Sequence, residues 1–210
     1  MQVFVPITSD KGLCGAVNSS IVRDVKKFVV GMNRSKIQIF SIGEKGSVGM
    51  IRPFPDMLKF AINQIGSPYN YPVIMSMSVH ITNLSHDADK IVVIYNEFKS
   101  VISYKQRHME LMPRKRFLEA MAFAKLYNQT LPDKNTSNPC LYELYLTSSI
   151  WVAFLNSAAS EQSARMNAMQ NASKNAGEIL EKLTLKYNKA RQTKITIELC
   201  EIISGASALE

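Results

Sequence analysis

At 210 residues, the chain suits one globular domain with an appendage or two small domains. Its apolar fraction of 46% is ordinary for a chain that buries a core, and no apolar run spans a membrane; the strongest imitator, Ile150 to Leu155, is too short. The net charge of +8 is uneven, with 18 Lys+Arg against 10 Asp+Glu in residues 1–139 and 7 against 7 in residues 140–210.

The chain opens directly on an apolar run, MQVFVPIT, with no targeting peptide, so a unit beginning there is expected to lack something upstream. Val3 to Thr8 reads as a buried strand that Pro6 pushes toward an edge or a bulge. Ser9 to Gly12 is a turn signal. Val17, Ile21, Val25, Phe28 and Val29 recur at helical spacing between Ala16 and Val30, with Gly31 where a C-cap belongs. Lys36 to Ile42 alternates as a second strand, and Ile74 to Leu84 suits a helix. Lys90 to Phe98 and Lys99 to Tyr104 read as two further strands. This alternation predicts a small α/β domain with a largely parallel sheet. Basic residues thicken at Lys99, Lys105, Arg107, Arg114, Lys115 and Arg116, a patch suited to nucleic acid, anionic lipid or an acidic partner, or simply a solvated loop.

Asn128 to Asn138 reads as a polar linker, and Asn138-Pro139 as a helix start with an Asn N-cap and Pro at the first helical position. The expected division is therefore 1–138, an α/β domain with its linker, and 139–210, one long helix. No proline follows Pro139, and Gly177 is the only glycine before Gly205. At 1.5 Å per residue such a helix runs about 100 Å, far beyond the ~11–12-residue average. Met166, Met169, Ser173, Ala176, Leu180, Leu183, Tyr187 and Ala190 step alternately by three and four, which is a heptad seam. Glu161 with Arg165, and Glu178 with Lys182, add i,i+4 pairs. A 3.5-residue repeat imposes a left-handed supercoil, so the stripe needs a partner helix. Residues 1–139, punctuated by Pro and Gly, offer none, so another chain or an absent piece must supply it.

Cys14, Cys140 and Cys200 are odd in number and widely spaced, which argues against a disulfide framework and fits a reducing compartment. Gly12-x-x-Gly15 follows the first strand, but GxGxxG and GxxxxGK[ST] are both absent, and Gly43, Gly46 and Gly49 have the wrong spacing for a phosphate loop. His80, His86 and His108 lack partners at metal-ligand spacing, and no nucleophile signature is present. Eleven methionines suit either an adaptable interface or core filling.

Two segments are more specific than periodicity. One is Ile7-Thr8-Ser9-Asp10-Lys11-Gly12-Leu13-Cys14-Gly15-Ala16-Val17-Asn18; the other runs from Ser160-Glu161-Gln162-Ser163-Ala164-Arg165-Met166, through Asn171 to Ala176, to Arg191-Gln192-Thr193-Lys194-Ile195-Thr196-Ile197-Glu198-Leu199 and Glu201 to Ala206. Together they closely resemble the gamma subunit of the rotary F-type ATP synthase. Phe98 to Lys105 is similar to its mitochondrial version. The resemblance runs in order along nearly the whole chain and is weak over 50–75 and 107–140. Family members begin with a long N-terminal helix that coils around the C-terminal one, so the resemblance implies a split subunit, a truncated chain or an incomplete sequence.

The resemblance further implies a small Rossmann-like foot and a C-terminal helix forming half of a left-handed antiparallel coiled coil. It implies a non-catalytic rotor that couples proton-driven rotation of a membrane ring to ATP synthesis or hydrolysis. The implied partners are three alpha and three beta subunits, the delta and epsilon stalk subunits, the ring of c subunits and the missing N-terminal gamma helix, with no nucleic acid. The implied place is the matrix side of the mitochondrial inner membrane, peripherally held. No cofactor, metal or catalytic residue is expected. Arg191 and Gln192 match a family pair that touches a loop of one beta subunit, with Lys194, Thr196, Glu198 and Glu201 as weaker contacts on the same stretch. Ile202, Ile203, Ala206, Ala208 and Leu209 form an apolar tip suited to turning in an apolar sleeve, because non-directional contacts resist rotation little. Lys99, Lys105 and Arg107 are candidate foot contacts to acidic groups near the ring or membrane surface. The competing reading is a basic α/β nucleotide- or nucleic-acid-binding domain with a coiled-coil oligomerisation helix; its polar candidates are Ser9, Asp10 and Lys11.

Overall fold

In the computed structural model, the described residues are 1–65, 69–122 and 134–207. Strand β1 (Gln2–Pro6) places Val3 and Val5 on one face and Phe4 on the other, all essentially inaccessible to water. A strand apolar on both faces belongs in the middle of a covered sheet. The order is β3-β2-β1-β4-β5, with β2 at Ile37–Ile42, β3 at Leu58–Ile62, β4 at Lys90–Phe98 and β5 at Tyr104–Leu111. The first four strands are parallel, and β5 returns antiparallel on β4. The predicted mostly parallel α/β sheet is therefore present.

The edge position expected of β1 is not. Pro6 is accommodated at the end of a central strand because the amides of Ile7 and Thr8 point alternately to β4 and β2, at 2.9 Å from Ile94 O and 2.8 Å from Ile42 O. The missing N–H of Pro6 therefore faces β2, and there the pairing lapses after Phe4 and resumes at Ile7. Lys99 to Ser103 is likewise a turn rather than a strand, and Tyr104 opens β5. Ser100 and Ser103 exchange backbone hydrogen bonds of 3.0 and 3.2 Å, satisfying locally the groups a strand would offer to a neighbour.

Helices α1 (Val17–Val30) and α2 (Glu44–Ile51) cover one face, packing Ile21, Val25, Val29 and Met50 on Phe4, Ile39, Val92 and Ile94. The other face is covered by α3 (Tyr71–Leu84) and the start of the long helix, with Ile74, Met77, Ile81, Tyr142, Leu146, Ile150, Ala153 and Phe154 on Val3, Val5, Ile7, Ile91 and Val93. A short α4 (Arg114–Ala122) follows β5. Neither α2, β3 nor α4 was legible as an element: α2 is short with two glycines, and β3 is an edge strand with little buried surface and hence little alternation.

The long helix, α5, spans Lys134–Ser207, and so begins before the predicted Asn138-Pro139 start. Asn138 Oδ1 is buried with no hydrogen-bond partner and caps nothing. Pro139 sits on the second turn, where it removes a single i→i−4 bond. The part of the predicted linker at 128–133 lies outside the described residues. The chain divides into a compact unit of Met1–Met166 and a second of Asn167–Glu210, so the first turns of α5 belong to the sheet's own unit.

The glycines before and within α2 have a packing reason. Gly43, at φ 97°, would place a Cβ 2.2 Å from Thr8 O, and Gly46 one 2.4 Å from Thr8 Oγ1, the atom that accepts the Gly46 amide at 2.9 Å. By contrast, a Cβ at Gly177 meets nothing within 4 Å. Gly46→Ala is expected to cost about 1–3 kcal/mol through overpacking, read as a lower urea midpoint, while Gly177→Ala increases helical circular dichroism.

Candidate functional site

Parallel α/β sheets bind ligands beyond the carboxyl ends of their strands, where the connections reverse direction. Here that point lies between β1 and β4. The space there is only about 20 Å³, room for one water, and is lined by Ile7, Thr8, Ser9, Tyr69, Phe154, Ser157 and Glu161. Helix α5 fills the crevice. Burial, reinforced by the carboxylates of Glu161 and Asp10, pushes the Tyr69 hydroxyl's pKa up.

Ser9 and Asp10 of the β1–α1 loop and Asn18 at the start of α1 are engaged with one another or by neighbouring segments, while Lys11 is exposed. The Ser9 amide donates to Asn18 Oδ1 at 2.9 Å, Ser9 Oγ donates to Lys11 O at 2.7 Å, and Asn18 Nδ2 donates to Ser9 Oγ at 2.8 Å and Cys14 Sγ at 3.2 Å. Asp10 accepts the amides of Glu44 and Ile65, each at 2.9 Å, tying the α2 N-terminus and the chain after β3 to β1. Ser9 and Asp10, candidates of the competing reading, are therefore structural fasteners. A cavity of about 540 Å³ between α1 and α2 is lined by Gly12 to Gly15, Arg23, Lys26 and Lys45, with no acidic residue.

The histidines lie apart: His108 Nε2 is 2.6 Å from Asp24 Oδ2, His86 Nδ1 is 3.0 Å from Asp87 Oδ1, and His80 lies near the Phe60 ring. No group of three metal-ligating side chains converges among the described residues.

The basic foot residues are not one free patch. Glu97 receives Arg107 Nε at 2.7 Å and Lys99 Nζ at 3.2 Å across the β4–β5 hairpin. The Arg107 hydrogen bond, with that of Lys99, holds the Glu97 carboxyl below its usual range, and Glu97 raises Arg107 in turn. Arg116 donates to Asp89 O at 2.9 Å. Among the described residues, Lys105 has no ion pair.

From Asn171 to Cys200 every residue of α5 is exposed. The seam residues Met166, Met169, Leu180, Leu183 and Tyr187 are 43–68% accessible, and Ser173, Ala176 and Ala190 are exposed with them. A second set, missed in the sequence reading, is also exposed: Ile179, Leu185, Ile195, Ile197 and Leu199. Continuing the three-and-four stepping beyond Ala190 would have reached Ile197. Contiguous exposed apolar surface of this kind marks an interaction face. Glu161 pairs with Arg165 as predicted; Glu178 and Lys182 do not pair, while Lys194 and Glu198 do, at 3.7 Å.

Arg191, Gln192, Lys194, Thr196, Glu198 and Glu201 are all exposed, with Thr196 Oγ1 donating back to Gln192 O at 2.9 Å. Ile202 and Ile203 are exposed and Ala206 lies within the helix, while Ala208 and Leu209 are outside the described residues. A helix without tertiary contacts is marginal in water. Amides of residues 171–200 should therefore exchange with deuterium in the isolated chain orders of magnitude faster than those of residues 142–160; equal protection would contradict the exposure seen here.

A family model described as ATP synthase matches residues 1–209. The mitochondrial ATP synthase F(1) complex subunit gamma of Dictyostelium discoideum is 36% identical over 211 residues, covering 100% of this chain and 68% of that protein. That of Rattus norvegicus is 34% identical over 213 residues, covering 100% of this chain and 76% of that protein. The structure is similar to a chain of the central stalk and c-ring of Tetrahymena thermophila mitochondrial ATP synthase, with TM-score 0.77 and 46% identity over 82% of this chain and 76% of that one. A chain of the Euglena gracilis mitochondrial ATP synthase shares the fold, with TM-score 0.81 and 23% identity over 99% of this chain and 72% of that one.

Proposed function

The chain belongs to the gamma subunits of ATP synthase, which form the central stalk of F1 in the rotary enzyme, and from that premise we propose how its parts divide the work. The unit Met1–Met166 is the foot on the membrane ring of c subunits, and α5 beyond Met166 is the shaft inside the head of three alpha and three beta subunits. Delta and epsilon accompany it in the stalk, and the assembly sits peripherally on the matrix side of the mitochondrial inner membrane. The chain itself is non-catalytic. This reading is supported by the helix-filled crevice and by the loop's internally satisfied polar groups.

The observation that carries the shaft reading is the exposed heptad stripe from Met166 to Ala190. An apolar stripe of 3.5-residue period is stable in water only when a second helix covers it. In this reading the covered pair, a left-handed antiparallel coiled coil, presents a different side to each of three chemically equal sites. Such a shaft shifts a site's open–closed equilibrium only through contacts that differ between the two states. Moving a site from 1:99 to 99:1 takes roughly 5.5 kcal/mol, the size of two or three charge-assisted hydrogen bonds. Arg191 and Gln192, exposed on the stretch beyond the seam, are our candidates for contact with a beta-subunit loop, supported by Lys194, Thr196, Glu198 and Glu201. Ile202, Ile203, Ala206, Ala208 and Leu209 would serve as the apolar bearing. In the foot, Lys105 is the best placed of the basic trio to meet an acidic group, since Glu97 already holds Lys99 and Arg107.

Two variants test the division. Leu180→Asp with Leu183→Asp should abolish joining of the head to its stalk in a pull-down of the complex, and normal assembly would defeat the shaft reading. Arg191→Ala should slow ATP turnover of the assembled head about tenfold, the rate equivalent of one charge-assisted bond, without changing nucleotide affinity of isolated beta subunits.

A further inference from the structure

We propose that a row of serine hydroxyls on α5, two of them buried, seated on backbone groups at the carboxyl end of the sheet, is the torsional anchorage through which rotation passes between foot and shaft. The inference rests on the rotor reading and adds where the torque crosses.

Before Met166, α5 lies on the sheet in two ways. Tyr142, Leu146, Ile150, Ala153 and Phe154 make an apolar stripe whose contacts are individually non-directional, with one buried hydrogen bond between Thr147 Oγ1 and Ser78 Oγ of α3 at 2.7 Å. The last turns are different. Ser157 and Ser160 are buried, and with Ser163 they step by three along one side of the helix. Ser157 Oγ reaches Ile7 O at 3.5 Å and receives the Asn96 amide at 3.4 Å. Ser160 Oγ donates to Asn96 O at 3.1 Å, and Ser163 Oγ donates to Val101 O. Asn96 is itself inaccessible, and its Nδ2 donates to Val17 O at 3.3 Å, which carries the joint on to the start of α1.

Nearly two turns of serines thus engage the end of β1, β4 and the β4–β5 turn, while Arg165, ion-paired with Glu161, adds a 3.4 Å contact to Gly12 O. Hydrogen bonds depend steeply on angle, so this row pins the rotational phase of the helix at the end of the sheet, beyond what the apolar stripe sets. Its position is mechanically apt: a few residues further on, from Asn171, α5 is exposed throughout. Alanine would fill these positions without needing buried polar groups to be matched, so hydroxyls matched to carbonyls fit a demand for phase rather than for burial.

The test uses the assembled rotary complex with the head immobilised and a bead attached to the foot. The variant carries Ser157→Ala, Ser160→Ala and Ser163→Ala together. The expected result is a rise of roughly twofold in the bead's thermal angular variance at fixed nucleotide, as the directional contacts of the three serines are lost while those of Arg165 with Gly12 and of Thr147 with Ser78 remain. ATP hydrolysis by the head should be unchanged and proton-driven synthesis reduced. Ser163→Thr, which keeps a hydroxyl, should match the unsubstituted chain. Unchanged variance in the triple variant overturns the proposal, whatever happens to its melting temperature. If the triple variant does not assemble, Ser163→Ala alone, at the least buried position, decides by the same measure. Failure of the rotor reading looks different: the bead on the unsubstituted chain would then show no ATP-driven rotation at all.

Discussion

The structure depends on β1 being apolar on both faces, since that places it at the centre of the sheet and obliges helices to cover both sides. One side is met by α1 and α2, the helices that follow β1 and β2. The other side is closed from a distance: α3 alone leaves part of Val3, Val5, Ile91 and Val93 uncovered, and Tyr142, Leu146, Ile150 and Phe154 of α5 complete it. Each such side chain contributes about 1.5–3 kcal/mol on burial. The long helix is thus held to the sheet by the same residues that finish its core.

That single requirement explains why the usual ligand position of a parallel sheet is closed here. With α5 across the β1–β4 junction, Ser157 and Glu161 stand where a bound molecule would otherwise sit, and about 20 Å³ remains. In the loop after β1, Ser9 and Asp10 are taken up by Asn18 and by the amides of Glu44 and Ile65, which leaves Lys11 as its exposed charged group. The same end of the sheet that holds ligands in other parallel α/β folds is occupied here by α5.

Beyond Met166 the balance reverses. The helix carries Leu, Ile and Tyr in water, a state sustained by local propensity alone, and its energetic meaning lies in what covers it within a complex. The charges behave in a comparable way. Lys99 and Arg107 look in sequence like a free basic stretch, yet Glu97 gathers both: Lys99 lies two residues further along the chain, and the β4–β5 register sets Arg107 opposite Tyr95, diagonal to Glu97.

By itself the sequence determined the features whose signals are local and repeated. These were the β4 strand, the apolar spacing of α1, the absence of helix breakers after Pro139 and the seam from Met166 to Ala190. Each follows from a period of two, 3.5 or 3.6 that needs no knowledge of distant residues. The two segments around Gly12 and Arg191 carried the family resemblance as well. Only the tertiary structure decided that β1 is central despite Pro6, that Gly43 and Gly46 make room for Thr8, and that Glu97 occupies two of the foot's cations. It alone showed that Ser157, Ser160 and Ser163 meet the strand ends. The reason is physical: such contacts join residues tens of positions apart, and a serine, glycine or lysine looks the same in sequence whether it faces water or a carbonyl brought to it by the fold.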